Sequence, residues 1–293
     1  MELRVLRYFL AVLREESITA AAESLHLTQP TLSRQLMELE EELGTPLLIR
    51  GARNQKITLT EKGMLLRRRA EELVELADKA QAEMHTDEAE VGGDVSIGSG
   101  ETEGMRLVAK ATKELQQAYP SIRYHLYSGN AEDVKERLDK GLLDFGVFIG
   151  PTNLDKYEYF ALPSVDTWGL LMRKSDPLAS RHSIAPGELH GLPLLVSRQR
   201  MGNELFSQWL GSDPSALHTV ATYNLVYNAS LMVSEGVGYA ICLDKLINTA
   251  GTDLCFVPLE PQLTAGIRFA WKKYQPFTKA AELFLDRIRK LCS

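Results

Sequence analysis

Apolar residues recur with helical spacing through the first sixty positions. Leu6, Phe9, Leu10 and Leu13 predict an amphipathic helix near residues 2–15. Ser17 stands where an N-cap belongs for a second helix through Leu25, rich in alanines that permit close packing. Thr28 caps a third, with Pro30 in the first turn, where its missing N–H costs nothing. On this helix Leu32, Leu36, Leu39 and Leu43 form one stripe, which predicts the buried face. Pro30, Thr31, Ser33, Arg34 and Met37 lie opposite, and the acid run Glu38, Glu40, Glu41, Glu42 closes the helix.

The pattern then shortens. Leu47–Arg50 and Lys56–Leu59 are two β-prone runs around a polar tip with Gly51 and Asn54. Thr60 caps a long helix to about His85, along which Leu66, Ala70, Leu73, Ala77, Ala80 and Met84 alternate spacings of four and three. That a/d seam predicts pairing with another helix, and packing against its own domain is the alternative. "DEAEVGGDVS" reads as a linker with a glycine hinge. Beyond it strand-like runs, from "DVSIGS" to "IRFAWK", alternate with helical stretches such as Arg106–Ala118, Ala131–Lys140 and Asn203–Leu210. This alternation predicts α/β layers with largely parallel sheets, in two small lobes.

Composition changes the picture in one place. The chain of 293 residues carries a formal net charge of -6, which argues against indiscriminate coating of nucleic acid or an anionic membrane. Locally, however, residues 46–70 are strongly basic, with Arg50, Arg53, Lys56, Lys62, Arg67, Arg68 and Arg69. No apolar run approaches a membrane span, and arginines interrupt the N-terminal apolar stretch, so neither membrane insertion nor a signal peptide is expected. Cys242, Cys255 and Cys292 form no metal-ligand spacing and are odd in number, as in a reduced, cytoplasmic protein.

The front of the third helix suits a polyanion. A helix N-terminus offers free backbone donors and the positive dipole end. Thr28, Thr31 and Ser33 can reach phosphate oxygens, and Gln29 and Arg34 can reach base edges in a major groove. In that pose the acidic back half points away. Arg50, Arg53 and Lys56, on or beside the hairpin tip, would lean on the DNA backbone.

Residues 1–60, through "LRYFLAVLREESITAAAESLHLTQPTLSRQLMELEEELGTPLLIR" and on to "LTEKG", resemble the winged helix-turn-helix of the LysR-type transcriptional regulators. Leu48 stands where that family often has phenylalanine and Lys62 where it often has alanine. The resemblance implies an α/β protein with an N-terminal all-α winged helix-turn-helix domain over 1–59. A dimerisation helix and hinge follow over 60–90, and an effector-binding domain over 91–293. This last has two Rossmann-like lobes similar to type 2 periplasmic binding proteins, lobe I over 91–161 and 267–293 and lobe II over 162–266. The implied partners are double-stranded DNA at a pseudo-palindromic operator, a second copy in a homodimer or homotetramer, and RNA polymerase if the protein activates. A reading helix of Gln29, Pro30, Ser33 and Arg34, with Thr28, Thr31, Arg50, Arg53 and Lys56 on the backbone, follows from it. The implied ligand is a small-molecule effector of unknown identity, with no cofactor and no metal.

Matching family positions place the effector in the interlobe cleft. Lobe I offers Ser99, Glu101 and Thr102, then Ser128 and Asn130, then Ile149 and Gly150. Lobe II offers Ser197 and Arg198, Tyr223 and Asn224, Val237 and Gly238. If Glu101 faces the cleft, it repels a carboxylate and favours a ligand with a donor or cationic group, unless Arg198 opposite neutralises it. "GSGETEG" at 98–104 imitates a dinucleotide-binding turn, but its glycine spacing is off by one and no ribose-binding acid follows. No HExxH, G-x-S-x-G or P-loop is present. The scattered histidines read as surface or core residues, and Cys242 and Cys255, in apolar strands, as inert thiols rather than redox sensors. An enzyme or solute-binding domain with an incidental helical N-terminus is the reading from a different class.

Overall fold

A computed structural model describes residues 1–49, 56–84, 91–198 and 204–292. It divides into two compact units, Met1–His85 and Thr86–Ser293. In the first, α1 (Leu3–Glu15), α2 (Ile18–Ser24) and α3 (Gln29–Glu42) are followed by β1 (Leu48–Ile49), β2 (Thr58–Leu59) and α4 (Glu61–Met84). Ser17 caps α2 by accepting from Ala20 N at 3.3 Å. Ala21 and Ala22 are buried between the helices, where a larger side chain would hold α3 off. His26, at φ 53°, turns the chain out of α2.

Leu32, Leu36 and Leu39 of α3 enter a common core with Phe9 and Val12 of α1. Leu43, the fourth member of the expected stripe, is 39% exposed because it stands past the helix end as its C-cap. The strands β1 and β2 pair antiparallel, Leu48 with Leu59 and Ile49 with Thr58. Glu40 is the half-buried exception in the acid run: its Oε1 accepts from Leu47 N at 2.7 Å and Leu48 N at 3.0 Å. Part of the acidic back half is thus the clamp that orients the hairpin.

Thr60 caps α4, accepting from Gly63 N at 2.9 Å and donating to Pro46 O at 2.8 Å. The seam expected on this helix is divided. Ala70 is buried and Leu66 and Val74 are partly buried against α1, while Leu65, Leu73, Leu76 and Met84 are exposed. At about 100° per residue these exposed four share an arc of roughly 100° beside the packed face. Packing against its own domain thus accounts for one face of the helix, and the apolar residues beside it stand exposed. Arg7 of α1 binds Asp78 of α4 through both terminal guanidinium nitrogens, an exposed pair worth little by itself.

The second unit begins inside the expected linker, since β3 (Gly93–Ser99) already contains Gly93. It continues with α5 (Met105–Ala118), β4 (Ile122–Ser128), α6 (Ala131–Asp139), β5 (Phe145–Ile149) and β6 (Tyr157–Arg173). Next are β7 (Leu194–Ser197), α7 (Glu204–Leu210), β8 (Thr219–Tyr223), α8 (Val226–Ser234), β9 (Tyr239–Leu243), β10 (Leu254–Pro258), β11 (Thr264–Lys272) and α9 (Lys279–Cys292). The order is β4-β3-β5-β11-β6-β9-β7-β8, with β10 on β6. Parallel pairing is confined to β4-β3-β5 and β8-β7-β9. The crossing strands β6 and β11 pair antiparallel to their neighbours, so the sheet is mixed rather than largely parallel.

β6 extends eleven residues upstream of the expected "WGLLMR" run. Its first part pairs with β11 and its last with β9 and β10, so one strand carries the chain from lobe to lobe. Pro163 falls within this upstream part. It lies where the β6–β11 register shifts, opposite Gly266/Arg268, so no ladder bond requires its missing N–H. Lobe I packs Val95, Ile97, Leu162 and Ile267 with Phe145, Phe269 and Phe284, whose ring centroids lie 5.0 Å (Phe145–Phe269) and 5.6 Å (Phe145–Phe284) apart. Lobe II is filled on the two faces of its sheet, around Leu170 and Ile241 on one and Leu171 and Ala240 on the other.

Candidate functional site

The outer surface of the first unit presents Thr28, Gln29, Pro30, Thr31 and Arg34 exposed and Ser33 half-buried. Burial of the leucine stripe leaves these residues no other direction to face. The helix start is less open than its sequence implies. Thr31 N is bonded by Thr28 Oγ1 at 3.4 Å, the two hydroxyls lie 2.8 Å apart, and Pro30 has no N–H. Arg34 Nε stands 3.5 Å from Glu38 Oε1 and Gln35 donates to Glu38 Oε2 at 2.6 Å. Such an exposed i,i+4 pair is worth about 0.3–0.5 kcal/mol, so Arg34 leaves it cheaply for a stronger acceptor. Lys56 is exposed and paired with Glu16. Arg50 and Arg53 lie outside the described residues.

In the second unit the C-terminal ends of β3, β4, β7 and β8 converge on one cavity of about 530 Å³ between the lobes. Open α/β sheets place ligand crevices at such strand ends, where helix N-termini bring unpaired N–H groups. Of the residues expected there, Glu101, Asn130, Ile149, Ser197, Tyr223 and Asn224 line it. Asn130 also caps α6, accepting from Asp133 N at 2.9 Å, and Tyr223 donates its hydroxyl to Ile241 O at 2.6 Å. Trp168, Cys242 and the Lys135–Glu132 pair join them, as does Pro151. These came from a crossing strand, a core strand and a helix face, where nothing local distinguishes a lining residue from a structural one.

Seven expected residues do not line it, each for a visible reason. Ser99 Oγ donates to Gly100 O at 2.6 Å, and with Ser128 it lines a separate recess of about 310 Å³. Thr102 donates to the buried Asp166 at 2.5 Å. Gly150, at φ 71°, directs its N–H to Gly266 O at 2.8 Å. Arg198 is exposed, with its N–H on Tyr223 O at 2.9 Å. Val237 is exposed, and a Cβ on Gly238 would come within 2.1 Å of Pro193 O, so this glycine serves packing.

Two groups in the turn 100–104 join the lobes. Glu101 accepts Val226 N–H, the first of α8, from across the cleft. Burial raises its pKa and the Val226 bond opposes the rise. Asp166 on β6 receives Thr102 Oγ1 and Glu103 N–H; burial raises its pKa from its ordinary value, and those two bonds oppose the rise. Sequence reading missed Asp166, an acid inside a strand with no motif around it. Cys255 and Cys292 are free thiols pushed up by burial, consistent with inert packing. Among the described residues no group of three or more His, Cys, Asp or Glu is placed to hold a metal, and no helix is long and apolar enough to cross a membrane.

Comparison with known proteins agrees with both units. Residues 3–64 match the family described as "Bacterial regulatory helix-turn-helix protein, lysR family", and residues 88–293 match the "LysR substrate binding domain". The HTH-type transcriptional regulator CysL of Bacillus subtilis (strain 168) is 30% identical over 81% of this chain and 79% of its own. YvbU of the same organism, also an HTH-type transcriptional regulator, is 26% identical over 99% of both chains. The fold is similar to full-length CbnR, a LysR family regulator crystallised with its target DNA, at a TM-score of 0.75 and 19% identity over 99% of both chains. The chain belongs to the LysR family: it is a DNA-binding transcriptional regulator, not an enzyme, whose second unit is the family's substrate-binding domain.

Proposed function

We propose that the front of α3 reads a pseudo-palindromic operator and that a small-molecule effector in the interlobe cavity modulates this. Gln29, Pro30, Ser33 and Arg34 meet base edges, and Thr28, Thr31, Arg50, Arg53 and Lys56 hold the DNA backbone. The effector touches Glu101, Asn130, Ile149, Ser197, Tyr223 and Asn224, with Trp168 as an added aromatic wall. The protein acts in the cytoplasm as a homodimer or homotetramer joined through the exposed stripe of α4, and contacts RNA polymerase if it activates. The observation that carries this reading is the polar front of α3 opposite the buried Leu32, Leu36 and Leu39, in a chain whose second unit encloses a cavity between lobes. The matched families support it, and CbnR supports it through its fold.

The test is footprinting of the full chain on DNA upstream of its own gene, with excess competitor. Protection of a two-fold-symmetric site, altered in extent by one member of a metabolite panel, is the expected result. No binding to any DNA at low salt removes the operator reading, and a footprint that no ligand alters removes the effector reading.

A further inference from the structure

α8 begins without a side-chain cap of its own, since the N-cap position is Leu225. The first N–H groups of any helix have no intrahelical partner and sit at its positive end, a seat suited to an anion. Here the acceptor at that seat comes from the other lobe: Glu101, 125 residues away in sequence, accepts Val226 N–H. Glu101 and Val226 both line the interlobe cavity. Asn224 does not replace this acceptor, for its Oδ1 takes Leu225 N instead, at 3.1 Å.

We propose that Glu101 is a built-in occupant of this anion seat and the residue that sets ligand class. Its carboxylate excludes a ligand carboxylate from α8, so the effector turns a hydrogen-bond donor, neutral or cationic, towards Glu101. This deepens the reading of the cavity as the effector site and rests on it. The geometry carries the charge argument: a second carboxylate brought against α8 would face Glu101 at close range in a partly desolvated space, where like charges repel strongly. The raised pKa of Glu101, caused first by burial, agrees with a carboxylate held away from bulk water.

The probe is acetate. Thermal melts of the full chain in sodium acetate and in sodium chloride at equal ionic strength compare wild type, Glu101→Ala and Glu101→Gln near neutral pH. E101A is expected to melt lower than wild type in chloride and to recover saturably in acetate, with a half-saturating concentration at least ten-fold below any seen for wild type. E101Q, whose amide oxygen still accepts from Val226, is expected to ignore acetate. The proposal is overturned if acetate stabilises E101A no more than chloride does, or stabilises wild type equally well. Should E101A not fold, the Val226 amide proton resonance decides: in wild type it moves as pH crosses the carboxylate range, and in E101Q it does not. A wild-type resonance indifferent to pH overturns the proposal. None of these readouts involves operator DNA, so failure of the effector reading, a footprint that no ligand alters, remains separable.

Discussion

Gly63 shows what packing demands of one residue. A Cβ there would stand 2.1 Å from Leu47 O and 2.8 Å from Leu59 Cδ2, and backbone oxygen cannot step aside as a flexible side chain can. Gly63→Ala forces α4 off the hairpin and is expected to cost about 1–3 kcal/mol or more, by the usual penalty of overpacking. Urea unfolding checks it; a loss under about 0.5 kcal/mol would mean that the helix start yields freely. Asp166 illustrates the electrostatic counterpart. Burial raises its pKa, Thr102 Oγ1 and Glu103 N–H oppose the rise, the Glu103 charge adds to it and Lys245 opposes it. With the folded value above the unfolded one, the folded state binds more protons between them, so this contribution to stability is present in acid and is lost as pH rises. Asp166→Asn removes that slope. Its melting temperature relative to wild type should rise from about pH 4 to about pH 7, and a difference flat in pH would refute the assignment.

At the scale of elements, α3 and its hairpin divide labour between two faces. Leu32, Leu36 and Leu39 anchor the helix, Glu40 holds the strand that follows, and the first two turns remain for a partner. If Arg34 reads a base edge, Arg34→Ala costs roughly 1–3 kcal/mol at the operator and relaxes discrimination at one base position. Binding to operator variants measures both. An equal loss on every sequence would make Arg34 a phosphate contact, as expected instead for the basic hairpin tip.

At the scale of the whole molecule, the assembly proposed above rests on apolar surface of α4. The exposed Leu65, Leu73, Leu76 and Met84 share one side of this long helix, the side on which the proposed second copy packs. Leu73→Glu combined with Leu76→Glu places charge on that side and away from the packed Ala70 face. Sedimentation should then show a lower association state at micromolar concentration, with loss of the two-fold footprint and retained thermal stability of the second unit. An unchanged mass would place the assembly surface elsewhere. In the second unit, β6 runs continuously from the part paired with β11 to the part paired with β9, and Glu101 and Asp166 make polar links between the lobes.

Much of this was legible in the amino-acid pattern because the determinants are local. Ser17, Thr28 and Thr60 cap helices within three residues of themselves, and the leucine period of α3 sets its buried face whatever lies beyond. Every strand-like run named in the second half is a strand, since alternation and β-branching act over a few neighbours. Other properties depend on groups far apart in sequence, and only the tertiary structure decided them. The first part of β6 accommodates Pro163 only because the register shifts opposite Gly266. Thr102 and Gly238 resembled ligand residues until Asp166 and Pro193 took up their capacity. The single helix α4 divided its apolar residues between its own domain and an exposed side, a division that periodicity alone does not contain. Resemblance to the family placed Glu101 at the cleft; the arrival of α8 beside it, 125 residues later, gave that carboxylate its partner.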